Sequence, residues 1–305
     1  MINFRFHVVS LTAVFLAIAL GVAIGVTVID KKVVDVNQAR INKLSSQLSD
    51  ARAAKSKAQG QLSDWNNFFG AVGNSFFGGR LNGANVLVVS EAGMSSGSLK
   101  SVDDALHSAG AREVGALSFT DKWSKNSSTA DLAKIIGVSS RNPAEVRKLV
   151  MERLVANWQD PKQASILSQL VSNGYINWST RDDSAANPVN FTLGPAQVLA
   201  VGSNSSSLSK DDAFMPFTEA FAAVLGGRMI IASTSDDQAS DNKSKPILID
   251  AIRKDSKLDG KATTVDNVET FPGRTALILG FADLVAGHVG DYGVNGSASK
   301  TIPGT

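Results

Sequence analysis

The stretch from Val8 to Ile29 carries no charged residue, and Ser10, Thr12 and Thr27 are its only hydroxyls. A helix satisfies such hydroxyls on its own carbonyls. At about 1.5 Å per residue the run covers roughly 33 Å, against a hydrocarbon core about 30 Å thick. A buried core helix is rarely apolar all round for this length. A secretory signal has a shorter apolar region, about 7–15 residues, behind a clearly basic start. Here Arg5 is the only fixed side-chain charge ahead of the run, and the small-x-small triplet Ala23-Ile24-Gly25 lies inside it. The segment 1–30 therefore reads as a retained transmembrane signal-anchor, and the rest of the chain as held at a membrane.

Charge leaves the orientation open. Lys31, Lys32, Arg40 and Lys43 follow the span, which on the positive-inside rule would place the bulk of the chain in the cytoplasm. Asp30 and Asp35 lie among those bases, although acids count little, and the segment before the span is short for such a count. Within the span, Gly21 and Gly25 form a GxxxG pair, a spacing that lets two membrane helices approach closely.

The next segment, residues 31–68, repeats apolar residues every seven positions. Val34, Ile41, Leu48 and Leu62, with Lys55, fill the a series; Leu44, Ala51, Ala58 and Trp65, with Asn37, fill the d series. That pattern predicts a coiled-coil stalk, with polar core residues that cost stability but can fix register and partner number. A lone amphipathic helix is the plainer alternative. Gly21, Gly25, Val34, Ile41, Leu44, Leu48 and Leu62 together predict a parallel homodimer, or a heteromer through the same seam.

Gly and Asn are dense from Gly70 to Gly83, so residues 69–83 read as a linker. From residue 84 strand and helix signals alternate. "NVLVVS", "VGALSFT", "QVLAVGS" and "RMIIASTS" are strands, separated by segments such as "LKSVDDALHSAG", "PAEVRKLVMERLVANW" and a helix interrupted near Pro216. Such alternation predicts an α/β domain over 84–294 with a mostly parallel, Rossmann-like or flavodoxin-like sheet. Residues 295–305 read as a disordered tail.

Composition narrows the chemistry. The 305-residue chain has no Cys, which removes disulfides, thiolate metal sites and cysteine nucleophiles. With 30 basic and 28 acidic residues there is no nucleic-acid footprint. His7, His107 and His288 are the only histidines. "GMSSG" formally matches GxSxG with Ser95 as nucleophile, but Glu91 and Ala92 separate it from the strand, whereas a nucleophile elbow needs the serine on the strand-to-helix turn. The same loop, through Gly93, Ser95, Ser96 and Gly97, offers backbone N–H groups to an anion, without the glycine spacing of a dinucleotide loop. Asp103 and His107 share a helix face, the usual arrangement of a solvated contact. "GHVGDYG" sets His288, Asp291 and Tyr292 among glycines, which signals tight backbone geometry and close packing. No catalytic constellation emerges, so a non-enzyme is expected.

Two blocks, "INFRFHVVSLTAVFLAIALGVAIG" and "VDNVETFPGRTALILGFADLVAGHVGDYG", resemble the mycobacterial copper transport protein B family. The resemblance implies an actinobacterial cell-membrane protein, single-pass, with its C-terminal domain extracytoplasmic. It implies a role in copper transport or homeostasis, described in places as pore-forming, and a membrane-protein partner in envelope or septal-wall upkeep. Copper(I) favours thiolates, thioethers or several imidazoles, and Met94, Met151, Met215 and Met229 are scattered. His288 with Asp291 beside it is the expected metal pair, with copper as the possible ligand. The leading expectation is thus a non-enzymatic copper-binding envelope component, and the alternative a coiled-coil scaffold that recruits a partner.

Overall fold

The computed structural model describes residues 4–28, 31–125, 127–159, 166–180, 188, 191–204, 213–234, 248–294 and 297–304. The chain divides into two compact units, Met1–Trp65 and Asn66–Thr305.

In the first unit, α1 (Phe4–Val28) contains the candidate span Phe4–Gly25. Thr12 Oγ1 donates to the Val8 carbonyl at 2.8 Å, which satisfies the hydroxyl inside the helix. Gly21 and Gly25 face open space. Helix α2 (Lys31–Phe77) begins in this unit, and Val34, Ile41, Leu44 and Leu48 are each more than half exposed on it. The side chain of Leu62 lies outside the described residues.

The second unit is built on one sheet. Its strands are β1 (Asn85–Ser90), β2 (Arg112–Phe119), β3 (Ile176–Ser179), β4 (Gln197–Ser203), β5 (Met229–Thr234), β6 (Thr263–Val265) and β7 (Asp291–Tyr292). They lie in the order β3-β2-β1-β4-β5-β6-β7, with β3 antiparallel to β2 and every other pairing parallel. Parallel strands are covered on both faces and read as continuous apolar runs. In β1, Leu87 and Val89 join one core while Val86 and Val88 join the other, the period of two that a strand imposes.

One face is packed by α4 (Ser128–Ile136), α5 (Pro143–Gln159), α6 (Ile166–Ser172), α7 (Phe214–Leu225) and α8 (Leu248–Arg253). The other carries α3 (Ser96–Ser108), α9 (Phe271–Val285) and the end of α2. Pro216 does not interrupt α7: it sits in the first turn, where backbone N–H groups have no intrahelical partner to lose.

Two boundaries differ from the sequence reading. The expected linker 69–83 is helical as far as Phe77, and Phe77 and Leu81 are buried in the second core. The Phe77 and Phe271 rings lie 5.8 Å apart. Burying a phenylalanine is worth roughly 1.5–3 kcal/mol, more than the ~1 kcal/mol that a glycine costs a helix. The segment expected as a disordered tail is ordered over 297–304. The Ser299 N–H donates to the Asp291 carbonyl at 3.0 Å, Lys300 bridges to Tyr292, and Ile302 packs on the second core. A short edge strand leaves backbone groups unpaired, and these residues take them up.

Candidate functional site

The last helix and the last two strands bring together the polar residues of the C-terminal block. Strand register sets Thr264 opposite Asp291 and Val265 opposite Tyr292. Successive strand residues face opposite sides of a sheet. Tyr292 and Val265 enter the α9-side core, so Asp291 and Thr264 face the α8 side.

On the α8 side stands Arg253. Its Nε donates to Thr264 Oγ1 at 2.8 Å and its Nη1 to Ser297 Oγ at 2.9 Å. Its Nη2 donates to Asp266 Oδ2 at 3.1 Å and to the Tyr292 carbonyl at 2.7 Å. The side chains of Arg253 and Asp266 are 3% and 0% exposed, so this is a buried ion pair whose remaining donors are spent on neighbours. Asp266 Oδ1 also accepts from the Val294 N–H at 2.8 Å. Asp291 Oδ1 accepts from Thr264 Oγ1 at 2.7 Å and lies 3.9 Å from Arg253 Nε. A cleft of about 160 Å³ opens beside this node, lined in part by Arg253, Asp259, Thr264, Asp291 and Ser299.

On the α9 side, the Tyr292 hydroxyl donates to Asp283 Oδ2 at 2.9 Å. A Cβ on Gly290 would collide with that hydroxyl, so the glycine leaves room for the phenol to reach the helix. Burial, then the bond to Asp283, then the charges of Asp283 and Asp291 push the Tyr292 phenol up to about 12. His288 follows the left-handed Gly287, its N–H donates to the Asp283 carbonyl at 3.0 Å, and its ring is largely exposed. His288 Nδ1 lies 3.9 Å from Asp283 Oδ1. The structure therefore sets His288 against Asp283, while Asp291 is engaged with Thr264 and Arg253 on the other side of the sheet. Asp283 was not singled out in the sequence. Its signal was its position five residues before His288, across a helix end that closes with glycine.

The remaining candidates are spread out. Ser95 takes the N-cap position of α3 in an extended conformation without a side-chain capping bond, and Gly93 takes φ +76° two residues before it. At the carboxyl ends of β1 and β4 the Glu91 carboxylate accepts from the Ser203 N–H at 3.0 Å, which sets negative charge beside the loop offered to an anion. Asp104 forms an ion pair at 2.9 Å with Lys100 on α3. Met151 and Met229 are fully buried, and Met94 and Met215 pack against opposite cores. The described methionines thus serve the packing of the two cores. Among the described residues, no group of three or more His, Asp or Glu side chains is placed to hold one metal ion.

The family model described as copper transport outer membrane protein, MctB, matches residues 1–303. The chain belongs to the MctB family. Curated MctB relatives named copper transporter MctB align end to end with it. That of Mycobacterium tuberculosis is 26% identical over 326 residues, covering 99% of each chain. That of Mycobacterium leprae is 27% identical over 330 residues, covering 99% of this chain and 100% of the relative. The matched MctB range takes in both sequence blocks described above, the apolar helix and the Arg253–Asp266 node alike.

Proposed function

We propose that this protein is a membrane-anchored copper-homeostasis component of the cell envelope, working by binding rather than by catalysis. The observation that carries it is the end-to-end match to a family whose curated relatives are named copper transporters. Copper is cargo in this reading. The α/β unit lies outside the cytoplasm, held by α1, and two chains pair in parallel through α2. The exposed Val34, Ile41, Leu44 and Leu48 support that pairing, because a heptad stripe loses its solvent exposure on meeting a second helix.

The architecture favours a binding component over a pore-forming one. A membrane barrel is a closed antiparallel sheet with a lipid-facing apolar band. The sheet here is mostly parallel, with helices on both faces. Its order around β1 and β4 supports a Rossmann-like reading with a switch point between those strands, without the glycine fingerprint of a dinucleotide site. Ser95 stands at the N-cap position of α3, separated by four residues from the end of β1 and off the strand-to-helix turn that an elbow needs, which supports the non-enzymatic reading.

A second reading, a scaffold that recruits an envelope or septal-wall partner through α2, draws on the same exposed stripe. Calorimetric titration of copper(I) and copper(II) into the full chain in detergent micelles separates the two. Copper binding at near one equivalent per chain is the expected result. Absence of binding in both oxidation states overturns the copper-binding reading and leaves the scaffold.

A further inference from the structure

Resting on the copper-binding reading above, we infer that the cargo is taken as a divalent ion, copper(II), by His288 and Asp283 at the end of α9. Copper(I) calls for soft sulfur ligands; the chain has no Cys, and its described methionines serve the two cores, with Met151 and Met229 fully buried. What the end of α9 offers instead is one imidazole beside one carboxylate. Nitrogen and oxygen donors suit divalent first-row ions, and copper(II) binds such donors most tightly of them.

The geometry fits one ion. Ligand distances of about 2.0–2.2 Å allow two donors on a shared ion to stand at most about 4 Å apart. His288 Nδ1 and Asp283 Oδ1 stand 3.9 Å apart. The ring is 72% exposed and so is free to turn toward closer, right-angled coordination. Asp283 is already oriented: Oδ2 accepts from the Tyr292 hydroxyl, which leaves Oδ1 toward the imidazole. A hydrogen bond of this kind to a ligating carboxylate is what fixes ligand direction at metal centres. Tyr292 is thus a positioning residue, and Gly290 makes its approach possible. His288 in turn is held by its backbone bond to the Asp283 carbonyl at 3.0 Å, so both donors hang from the same helix end.

Two protein donors leave the other coordination positions to water or to a donor from a partner. That is an exchangeable half-site, suited to receiving and passing on an ion rather than storing it. Asp291, the acid nearer His288 in that glycine-rich run, has no part in it, because its carboxylate serves the Arg253 node.

The test is copper(II) chloride added to the full chain in detergent, read by electron paramagnetic resonance and by calorimetry, with zinc(II) chloride in parallel. The expected spectrum shows one coordinated nitrogen. His288→Ala and Asp283→Asn each weaken binding at least tenfold, Tyr292→Phe weakens it about tenfold to a hundredfold, and Asp291→Asn leaves it unchanged. Zinc binds more weakly than copper(II). His288→Ala alters only an exposed side chain, so its melting curve is expected to match the parent. Copper(II) binding unchanged in His288→Ala overturns the site and places the ion elsewhere, His7 or the terminal amine included. Equal loss in Asp291→Asn and Asp283→Asn overturns the choice of carboxylate. Binding of copper(I) alone overturns the oxidation state while sparing the copper-binding reading, and no binding of either ion fells both.

Discussion

The Tyr292 hydroxyl bonded to the Asp283 carboxylate ties the edge strand to the last helix, and it holds the phenol in its protonated form. The group's ordinary value is 10.0 and the folded protein raises it to about 12, chiefly by burial and then by the acceptor Asp283. For a raised pKa, the stabilisation is complete below the unfolded value and is lost as pH rises through the folded one. Stability should therefore hold up to about pH 10 and fall between there and about 12. The chain has two tyrosines, and burial also raises Tyr175. Spectrophotometric titration of Tyr175→Phe should then show a single phenol ionising near 12. A transition at the ordinary value would mean that Tyr292 is solvated.

Arg253 and Asp266 should be costly to separate. Both are buried, and removal of one leaves a charge in a low-dielectric site, which typically costs 3–5 kcal/mol. Asp266→Ala also strips the Val294 N–H of its acceptor. Urea unfolding should show a loss of about that size. A change under about 1 kcal/mol would mean that water replaces the carboxylate.

How much of this was legible in the sequence follows from the range of the forces. Periodicity is local, so β1, β2, β4 and β5 could be read from runs such as "NVLVVS", and the mostly parallel sheet followed from their alternation with helices. The end of α2 was not legible. Gly and Asn around Phe76 and Phe77 signal a break, and the burial that overrides them comes from distant residues of the second core, the Phe271 ring among them. The pairing of His288 was half legible: the glycine-rich turn was visible, but Asp291 and Tyr292 point to opposite faces because of a strand two residues long, too short for pattern reading. Arg253 gave no signal at all. It belongs to a six-residue helix, and its partners Thr264, Asp266, Tyr292 and Ser297 come from later segments.

Glycines in the C-terminal block should differ in their tolerance of a side chain. Gly293 has φ +137°, and a Cβ there would run into the Asp266 carboxylate. Gly287 has φ +85° with open space around it, so it bears only the backbone penalty. Gly287→Ala should cost about 1–2 kcal/mol. Gly293→Ala should cost more, adding displacement of a buried ion pair to a strained backbone, itself worth ~1–3 kcal/mol. Thermal melts of the two variants rank them directly, and the reverse order would mean that the Asp266 carboxylate can shift without loss.

The stripe on α2 gives the last prediction. Leu48 falls at an a position of the heptad pattern and is 52% exposed in the single chain. If two copies meet along the stripe, Leu48→Asp buries two unpaired carboxylates facing each other, and a buried unpaired charge costs several kcal/mol. Each 1.4 kcal/mol is a factor of ten in affinity, so the dissociation constant should rise at least a hundredfold. Ser46→Asp, on the outer face of the same turn, should leave it unchanged. Sedimentation of the full chain in detergent reads both variants against the parent. A parent that sediments as a monomer, or two variants that behave alike, would remove the paired helix and leave α2 as a single amphipathic helix.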